Sequence, residues 1–327
     1  MSRYVVKRVL HTLLVLLGVS LMTFALIHMT PGDPVLVMLG TDATPSELDR
    51  LRHLLGLDQP LYVQYAQYLG RLLTGQMGDS IFQHQAVSKL IGDRFPATVE
   101  LTLAAMSIAV VLGMLTGVIS AVVPYSLFDV TAMLIALAGV AMPVFWLGML
   151  AILLFSLQLG WLPSFGRGEP FVQAVQYWFR TGDPSDVVDS LRHIVLPALT
   201  LGAFSAALIS RLVRSALLEV LGQDYVRTAR AKGLAQAPVI AQHALPNALI
   251  PVITVIGLQV GTLLGGAVLA ETIFAWPGMG RLLIQAISQR DYPLVQGIVM
   301  VTALAVSIIN VIVDLLYATI NPRVRYG

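Results

Sequence analysis

The chain has 327 residues, 57% hydrophobic and 12% charged, with a net charge of +2 and a mean hydropathy of +0.80. Soluble domains carry about 25% charged residues, so this composition excludes an ordinary globular protein and describes a polytopic membrane protein. The small net charge gives no reason to expect a nucleic-acid partner, and the lack of any cysteine excludes disulfides, thiol catalysis and cysteine metal sites.

A membrane span needs about 20 mostly apolar residues. Six stretches qualify in chain order: Val9–Met29, Thr98–Val123, Val130–Leu157, Ile194–Val213, Ala248–Ala270 and Leu294–Ala318. The first follows Arg3, Lys7 and Arg8, as a signal peptide would. Its apolar core is too long for one and no small-residue cleavage site follows, so it reads as a retained anchor. Between the first two spans, Pro45–Leu55 is a helix candidate with Ser46, Glu47 and Asp49 at its start. Leu61–Leu73 is a second, with Tyr62, Tyr65, Leu69 and Leu72 on one face. Gln158–His193 is expected to form loops or short helices. Neither outer segment carries the pattern of a domain with its own core, and both are expected to cap the mouth of the span bundle.

Basic residues near span ends set orientation. One face holds Arg3, Lys7, Arg8, Arg211, Arg214, Arg227, Arg230, Lys232, Arg323 and Arg325, half of the 20 basic residues. The other half are spread over about twice the length, mostly in a long loop that the rule discounts. Both termini and the charged segment after the fourth span are therefore expected in the cytoplasm. The organisation expected is an N-terminus with its span (1–29), an outer region (30–97), a five-helix core (98–318) containing a cytoplasmic loop (215–247), and a tail (319–327).

The cytoplasmic loop is the most informative stretch. A helix from about Gln223 to Lys232, closed by Gly233 in the left-handed conformation, would carry Arg227, Arg230 and Lys232 across the membrane face. Pro238 and Pro246 are expected to keep the following pieces from fusing into one long helix. By residue chemistry alone such a helix either docks a partner or rests on anionic headgroups.

Asp224-Tyr225-Val226-Arg227-Thr228-Ala229-Arg230-Ala231-Lys232-Gly233, then nine residues, then His243-Ala244-Leu245-Pro246, resembles the coupling loop of ABC importer permeases. That family's pattern is Glu-Ala-Ala, three residues, Gly, nine residues, Ile-x-Leu-Pro. The spacing matches throughout; Ala229, Gly233, Leu245 and Pro246 are kept, while Arg227, Thr228 and His243 depart. The local form is similar to that of the dipeptide/oligopeptide/nickel permeases. So are Thr30-Pro31-Gly32-Asp33-Pro34, Leu55-Gly56-Leu57-Asp58-Gln59-Pro60, Gly75-Gln76-Met77-Gly78-Asp79-Ser80, Glu271-Thr272-Ile273-Phe274, Trp276-Pro277-Gly278-Met279-Gly280-Arg281, Arg290-Asp291-Tyr292-Pro293 and Asn321-Pro322-Arg323. The long outer segment resembles the first, B-type, of the family's two permease types.

The resemblance implies an all-α, six-span type I importer permease subunit in a bacterial cytoplasmic (inner) membrane. It implies a second homologous permease, two cytoplasmic ATP-binding subunits and an extracytoplasmic substrate-binding protein as partners, besides the lipid bilayer. Alternating access would be driven through Asp224, Tyr225, Arg227, Thr228, Ala229, Arg230, Lys232, Gly233, Leu245 and Pro246. No cofactor is expected on this chain, with ATP and Mg on the partner subunits, because no Gly-Lys pair occurs to build a phosphate-binding loop. Dipeptides or short oligopeptides are the cargo expected, with nickel chelates or glutathione as alternatives.

Polar and special residues inside the spans suggest a path. Asp314 is read as the one acid well inside a span, one turn after Asn310, and serves either a gate or a structural pair. Gln259, with Ser205 and Ser210, either lines a cavity or bonds neighbouring helices. Gly257, Gly261 and Gly265 form a smooth stripe that the resemblance puts near the pathway, and Gly113 and Gly117 a packing stripe. Met142 and Phe145 flank Pro143, which is expected to kink the third span; both face either path or lipid. His11 and His28, near span ends, read as interfacial residues. A membrane-embedded enzyme would want paired acids, His-Glu-x-x-His or a nucleophilic Ser or Cys with a base; Asp314 has no intramembrane acidic partner, and neither that zinc motif nor any Cys occurs. A self-contained secondary carrier would leave the charged loop unexplained.

Overall fold

The computed structural model describes residues 2–29, 35 and 43–320, with the backbone alone at 2–7, 9, 27, 51, 54, 55 and 315–320. The motifs at 30–34 and 321–323, and Arg325, lie outside the described residues. The described chain is helical almost throughout, with one isolated β-bridge between Asp79 and Ala86. Its helices are α1 (Ser2–Met29), α2 (Pro45–Leu55), α3 (Leu61–Leu73), α4 (Val87–Val122), α5 (Leu127–Ala141), α6 (Val144–Gln158), α7 (Phe171–Thr181), α8 (Ser185–Leu221), α9 (Asp224–Ala231), α10 (Gln236–Ile273), α11 (Met279–Gln289) and α12 (Tyr292–Ile320).

Four of these, α4, α8, α10 and α12, are long and apolar enough to cross a bilayer. The pair α5 and α6 carries enough apolar length for a fifth, and the apolar run of α1, Leu10–Leu26, is the sixth member of the expected set. The third span departs from expectation. Val130–Leu157 is not one kinked helix but two, bent by 113°. Met142 and Pro143 are both extended, at ψ 133° and 137°. The residue before a proline is driven out of the helical region by its ring, so the break falls where the Met-Pro pair stands.

A second correction concerns Pro238 and Pro246. They do not divide the chain, because α10 is helical without interruption from Gln236. Pro238 stands in the first turn, where a missing N–H is harmless. Val239–Ala244 opens into a π-helical turn ahead of Pro246, and the wider turn absorbs the ring that would otherwise clash with the preceding carbonyls.

The chain divides into two compact units. The first comprises Met1–Pro96 and Gly278–Ser307. Within it Ser20 on α1 meets Tyr65 on α3 at 2.9 Å between hydroxyls, and Phe24 packs on the rings of Tyr65 and Tyr68. His28 bonds the Phe24 carbonyl at 2.8 Å and Gln64 at 3.1 Å. Val87, Leu90 and Ile91, at the end of the outer segment, bury against Met279, Leu282, Ala286, Leu294 and Ile298 from far along the chain. Buried Asp291 holds that core shut. It accepts from the Ser80 hydroxyl, from the Phe82 N–H at 3.4 Å and from the Leu294 N–H at 3.3 Å.

The second unit comprises Ala97–Pro277 and Ile308–Gly327. Its centre is α8, which packs on α5, α7 and α10. The helices α4 and α8 approach backbone to backbone. A Cβ added at Gly113 would stand 2.8 Å from Ile209, one at Gly117 2.6 Å from the Ser210 carbonyl, and one at Gly202 2.5 Å from the Ala105 carbonyl. The glycine stripe on α4 is thus a helix-packing face. Arg214 on α8 grips Asp129 at the start of α5 through two bonds of 2.6 and 2.7 Å. The same carboxylate takes the N–H of Tyr125, which sits at φ +62°. That bidentate pair fastens the α4–α5 turn to α8.

Candidate functional site

The charged loop folds locally as its sequence requires. Gln223 is extended at ψ 151°, and its carbonyl takes the N–H groups of Val226 (3.1 Å) and Arg227 (3.2 Å) to start α9. Val226 and Ala229, three apart, are buried with Val239 and packed by Val220 and Leu221 at the end of α8. Burying Val226 alone is worth about 1.5–3 kcal/mol, enough to hold a two-turn helix that could not persist in isolation. Asp224, Tyr225, Arg227, Thr228, Arg230 and Lys232 stay exposed. Arg227 and Asp224 form an exposed ion pair at 3.7 Å, and Tyr225 receives the Asn247 amide at 3.1 Å.

The helix closes in a Schellman motif. The Gly233 N–H reaches the Arg230 carbonyl at 2.9 Å and the Leu234 N–H reaches the Ala229 carbonyl at 3.4 Å, with Gly233 at φ +83°. Nothing lies within 4 Å of where a Gly233 Cβ would stand. Backbone conformation, not space, therefore selects glycine there. Leu245 and Pro246 follow within α10, just after its π turn, with Ala244 and Ala248 buried against Ala121 and Leu217. The ten residues singled out from the sequence share one end of this unit, with Ala229 packed inward and its charged neighbours presented outward.

The proposed path residues do not converge in the same way. Gln259 is buried and donates to Ser205 at 3.3 Å, a helix–helix bond between α10 and α8. Ser210 receives the Thr116 hydroxyl at 2.8 Å. Along the stripe of α10, Gly257 lies against Val313, Gly261 is buried, and Gly265 faces open space. Asn310 and Asp314 are half-buried on α12. A cavity of about 520 Å³ opens between α4, α5 and α8, and of the residues singled out for a path Met142 and Ser210 line it. Phe145 is exposed on α6.

Three further acids stand at the ends of the expected spans: Asp129 in the first turn of α5, Glu100 on α4 and Glu271 near the end of α10. Glu271 is fully buried and accepts from the Thr98 hydroxyl at 2.6 Å. Glu100 pairs with Arg167, whose guanidinium lies 5.7 Å over the Trp276 ring. The Trp276 indole donates to the Ala97 carbonyl at 2.8 Å, and its backbone N–H reaches the Glu271 carbonyl at 2.8 Å across Ala275, which sits at φ +51°. Glu271 and Trp276 stand inside motifs visible in the sequence. Glu100 and Arg167, 67 residues apart, carried no sequence signal.

Residues 109–326 match the family model described as binding-protein-dependent transport system inner membrane component, and residues 1–102 match its N-terminal companion. The chain belongs to this family of ABC importer permeases. It is 50% identical to the di/tripeptide transport system permease protein DppB of Pseudomonas aeruginosa over 320 residues, 94% of each chain. The dipeptide transport system permease protein DppB of Escherichia coli K12 is 44% identical, across 100% of this chain and 99% of its own. The glutathione transport system permease protein GsiC of the same strain is 42% identical over the full length of both. In fold the permease is similar to a chain of the inward-facing MetNI methionine ABC transporter, with a TM-score of 0.55 at 19% identity. That likeness covers 72% of this chain and 97% of the other. The fold is therefore the type I importer permease fold, and the relatives are transport subunits rather than enzymes. Membership implies an ATPase partner and a substrate-binding partner.

Proposed function

We propose that this permease carries dipeptides or short oligopeptides across a bacterial inner membrane by alternating access, with both termini in the cytoplasm. Two cytoplasmic ATP-binding subunits, which hold ATP and Mg, would grip the exposed face of α9, and their closing motion would pass through Val226 and Ala229 into α8 and α10. A second, homologous permease would complete the path, and an extracytoplasmic binding protein would deliver the peptide. The observation that carries the reading is a charged helix, anchored from beneath by two apolar residues and closed by a left-handed glycine, on a chain whose relatives are named as peptide permeases. Coupling requires that the two ATPase states differ in their fit to this face.

Glutathione is the second reading, favoured by the GsiC match. Glutathione is a tripeptide with a γ-linked glutamate and so is close in size and polarity to a short peptide. ATP-dependent uptake of a labelled dipeptide, in cells lacking the chain and in cells with it restored, tests the proposal, with glutathione and a nickel chelate as competitors. Restored uptake that unlabelled dipeptide suppresses supports it. Uptake only of glutathione or of the chelate would overturn the cargo and leave the fold untouched.

A further inference from the structure

A small cavity in the first unit, between α3 and α12, takes no part in the coupling mechanism. Gly75 and Gly78, left-handed at φ +74° and +77°, turn the chain back from the end of α3. Gly297 on α12 lets the start of α4 close in behind: a Cβ there would stand 2.5 Å from Val87 and 3.6 Å from the Met77 sulfur. Between α3, the glycine turn and α12 remains a space of about 80 Å³. A water occupies about 30 Å³ in the liquid, so this is room for about two to three waters or for one phosphate group. The polar side chains lining it are Tyr68, Arg71, Gln76 and Gln296, and among the described residues no acid lines it. Tyr68 is 8% exposed, and its hydroxyl is buried without a hydrogen-bond partner. The side chains of Arg71, Gln76 and Gln296 also have no partner among the described residues. Leaving such a hydroxyl unpaired is costly. Four donor-bearing side chains, one of them a guanidinium, with no carboxylate beside them, suit an oxyanion and disfavour a metal cation.

Two helices of the same unit give the depth of the cavity. Tyr68 packs on Phe24, five residues before α1 ends at Met29. Gln296 and Met300 stand two and six residues beyond Leu294, where the apolar run of α12 begins. At 1.5 Å per residue, both place the cavity within about 10 Å of the bilayer face at which α1 ends and α12 begins. Headgroups and the first acyl carbons occupy that level, and the phosphodiester is the abundant anion there. An arginine without a carboxylate partner is costly at this depth unless phosphate or water meets it.

We propose that this cavity binds the phosphodiester of a phospholipid headgroup, with Tyr68, Arg71, Gln76 and Gln296 donating to its oxygens. The apolar walls, Leu72, Met77, Pro293 and Met300, receive the glycerol and the first acyl carbons. Arg71 brings the charge on a long stem, and Tyr68, held by its ring, brings a fixed donor. The bound lipid bridges α3 to the first turns of α12.

The test is native mass spectrometry of the assembled transporter, stripped of lipid in detergent and titrated with phosphatidylglycerol. Arg71→Gln and Tyr68→Phe should each weaken binding of the tightest lipid at least about tenfold, the worth of a hydrogen bond to a charged group. Arg50→Gln, at an exposed arginine of α2, should leave it unchanged. Diacylglycerol with the same acyl chains should bind at least about tenfold more weakly than phosphatidylglycerol. Tyr68→Phe keeps the ring on Phe24 and removes only the unpartnered hydroxyl. Without lipid it should therefore melt no lower than the native protein, while added phosphatidylglycerol should raise the native Tm more than the variant's. Undiminished lipid binding in both variants overturns the proposal, as does a lower Tm of lipid-free Tyr68→Phe, which would show an internal partner for the hydroxyl. Diacylglycerol binding as tightly as phosphatidylglycerol would show an apolar groove without a phosphate site. Displacement of the lipid by an equal concentration of inorganic phosphate would assign the cavity to a free ion, and displacement by a dipeptide to a cargo carboxylate; each of these results overturns it too.

Discussion

Gly233 offers the sharpest test of how the charged loop works. Its backbone is left-handed at φ +83°, and no atom lies within 4 Å of the position a Cβ would take. Substitution therefore acts through conformation alone. Holding an L-residue in that region costs about 1–2 kcal/mol, with a β-branched side chain at the upper end. Asn tolerates the region through its short polar side chain and should lose least. A penalty of 1–2 kcal/mol corresponds to about a 5- to 30-fold fall in the population that keeps both closing hydrogen bonds of α9. The series Gly233→Asn, Gly233→Ala, Gly233→Val should therefore show progressively less peptide imported per ATP hydrolysed, at equal amounts of assembled transporter in the membrane. Equal coupling in the Val and native proteins would refute the role of the cap. An Asn variant as impaired as Val would also refute it, since the cause would then lie outside backbone conformation.

Asp129→Ala should destabilise the protein by about 2–3 kcal/mol, at or below the range for a fully buried pair because Arg214 keeps 23% of its side-chain surface exposed. Unfolding in detergent should show this, and adding Arg214→Met should recover part of the loss by removing the unpaired charge. Gly117→Ala, which would place a methyl 2.6 Å from the Ser210 carbonyl, should cost about 1–3 kcal/mol in the same assay. Gly18→Ala, with nothing within 4 Å, is the control and should cost nothing. At the start of α2, the Thr44 hydroxyl and N–H both donate to Glu47 and hold its carboxyl below the usual carboxylate range. A depressed carboxylate stabilises above its unfolded-state pKa and loses that contribution as pH falls through the folded-state value. Amide-exchange protection of Pro45–Leu55 should thus decline on acidification in the native chain and stay level in Glu47→Gln.

The sequence by itself determined the elements whose causes are local. Pro45–Leu55 and Leu61–Leu73 form at the limits their patterns define, because cap residues and apolar periodicity act within a few turns. The charged helix ending at Gly233 was legible for the same reason, since a left-handed cap is a demand on one residue. Tertiary structure decided what depends on distant partners. Pro143 marked a bend in the sequence, but its size, a 113° break into two helices, is seen only in the fold. The continuity of α10 through Pro246 rests on a π turn that no local pattern announces. The buried polar set of Thr98, Glu100, Arg167, Glu271 and Trp276 is assembled across as many as 179 residues of chain. Carboxylates in apolar helices look alike in sequence. Whether one is paired, capped or aimed at a path depends on which cation or hydroxyl the fold carries to it, and that is a property of packing.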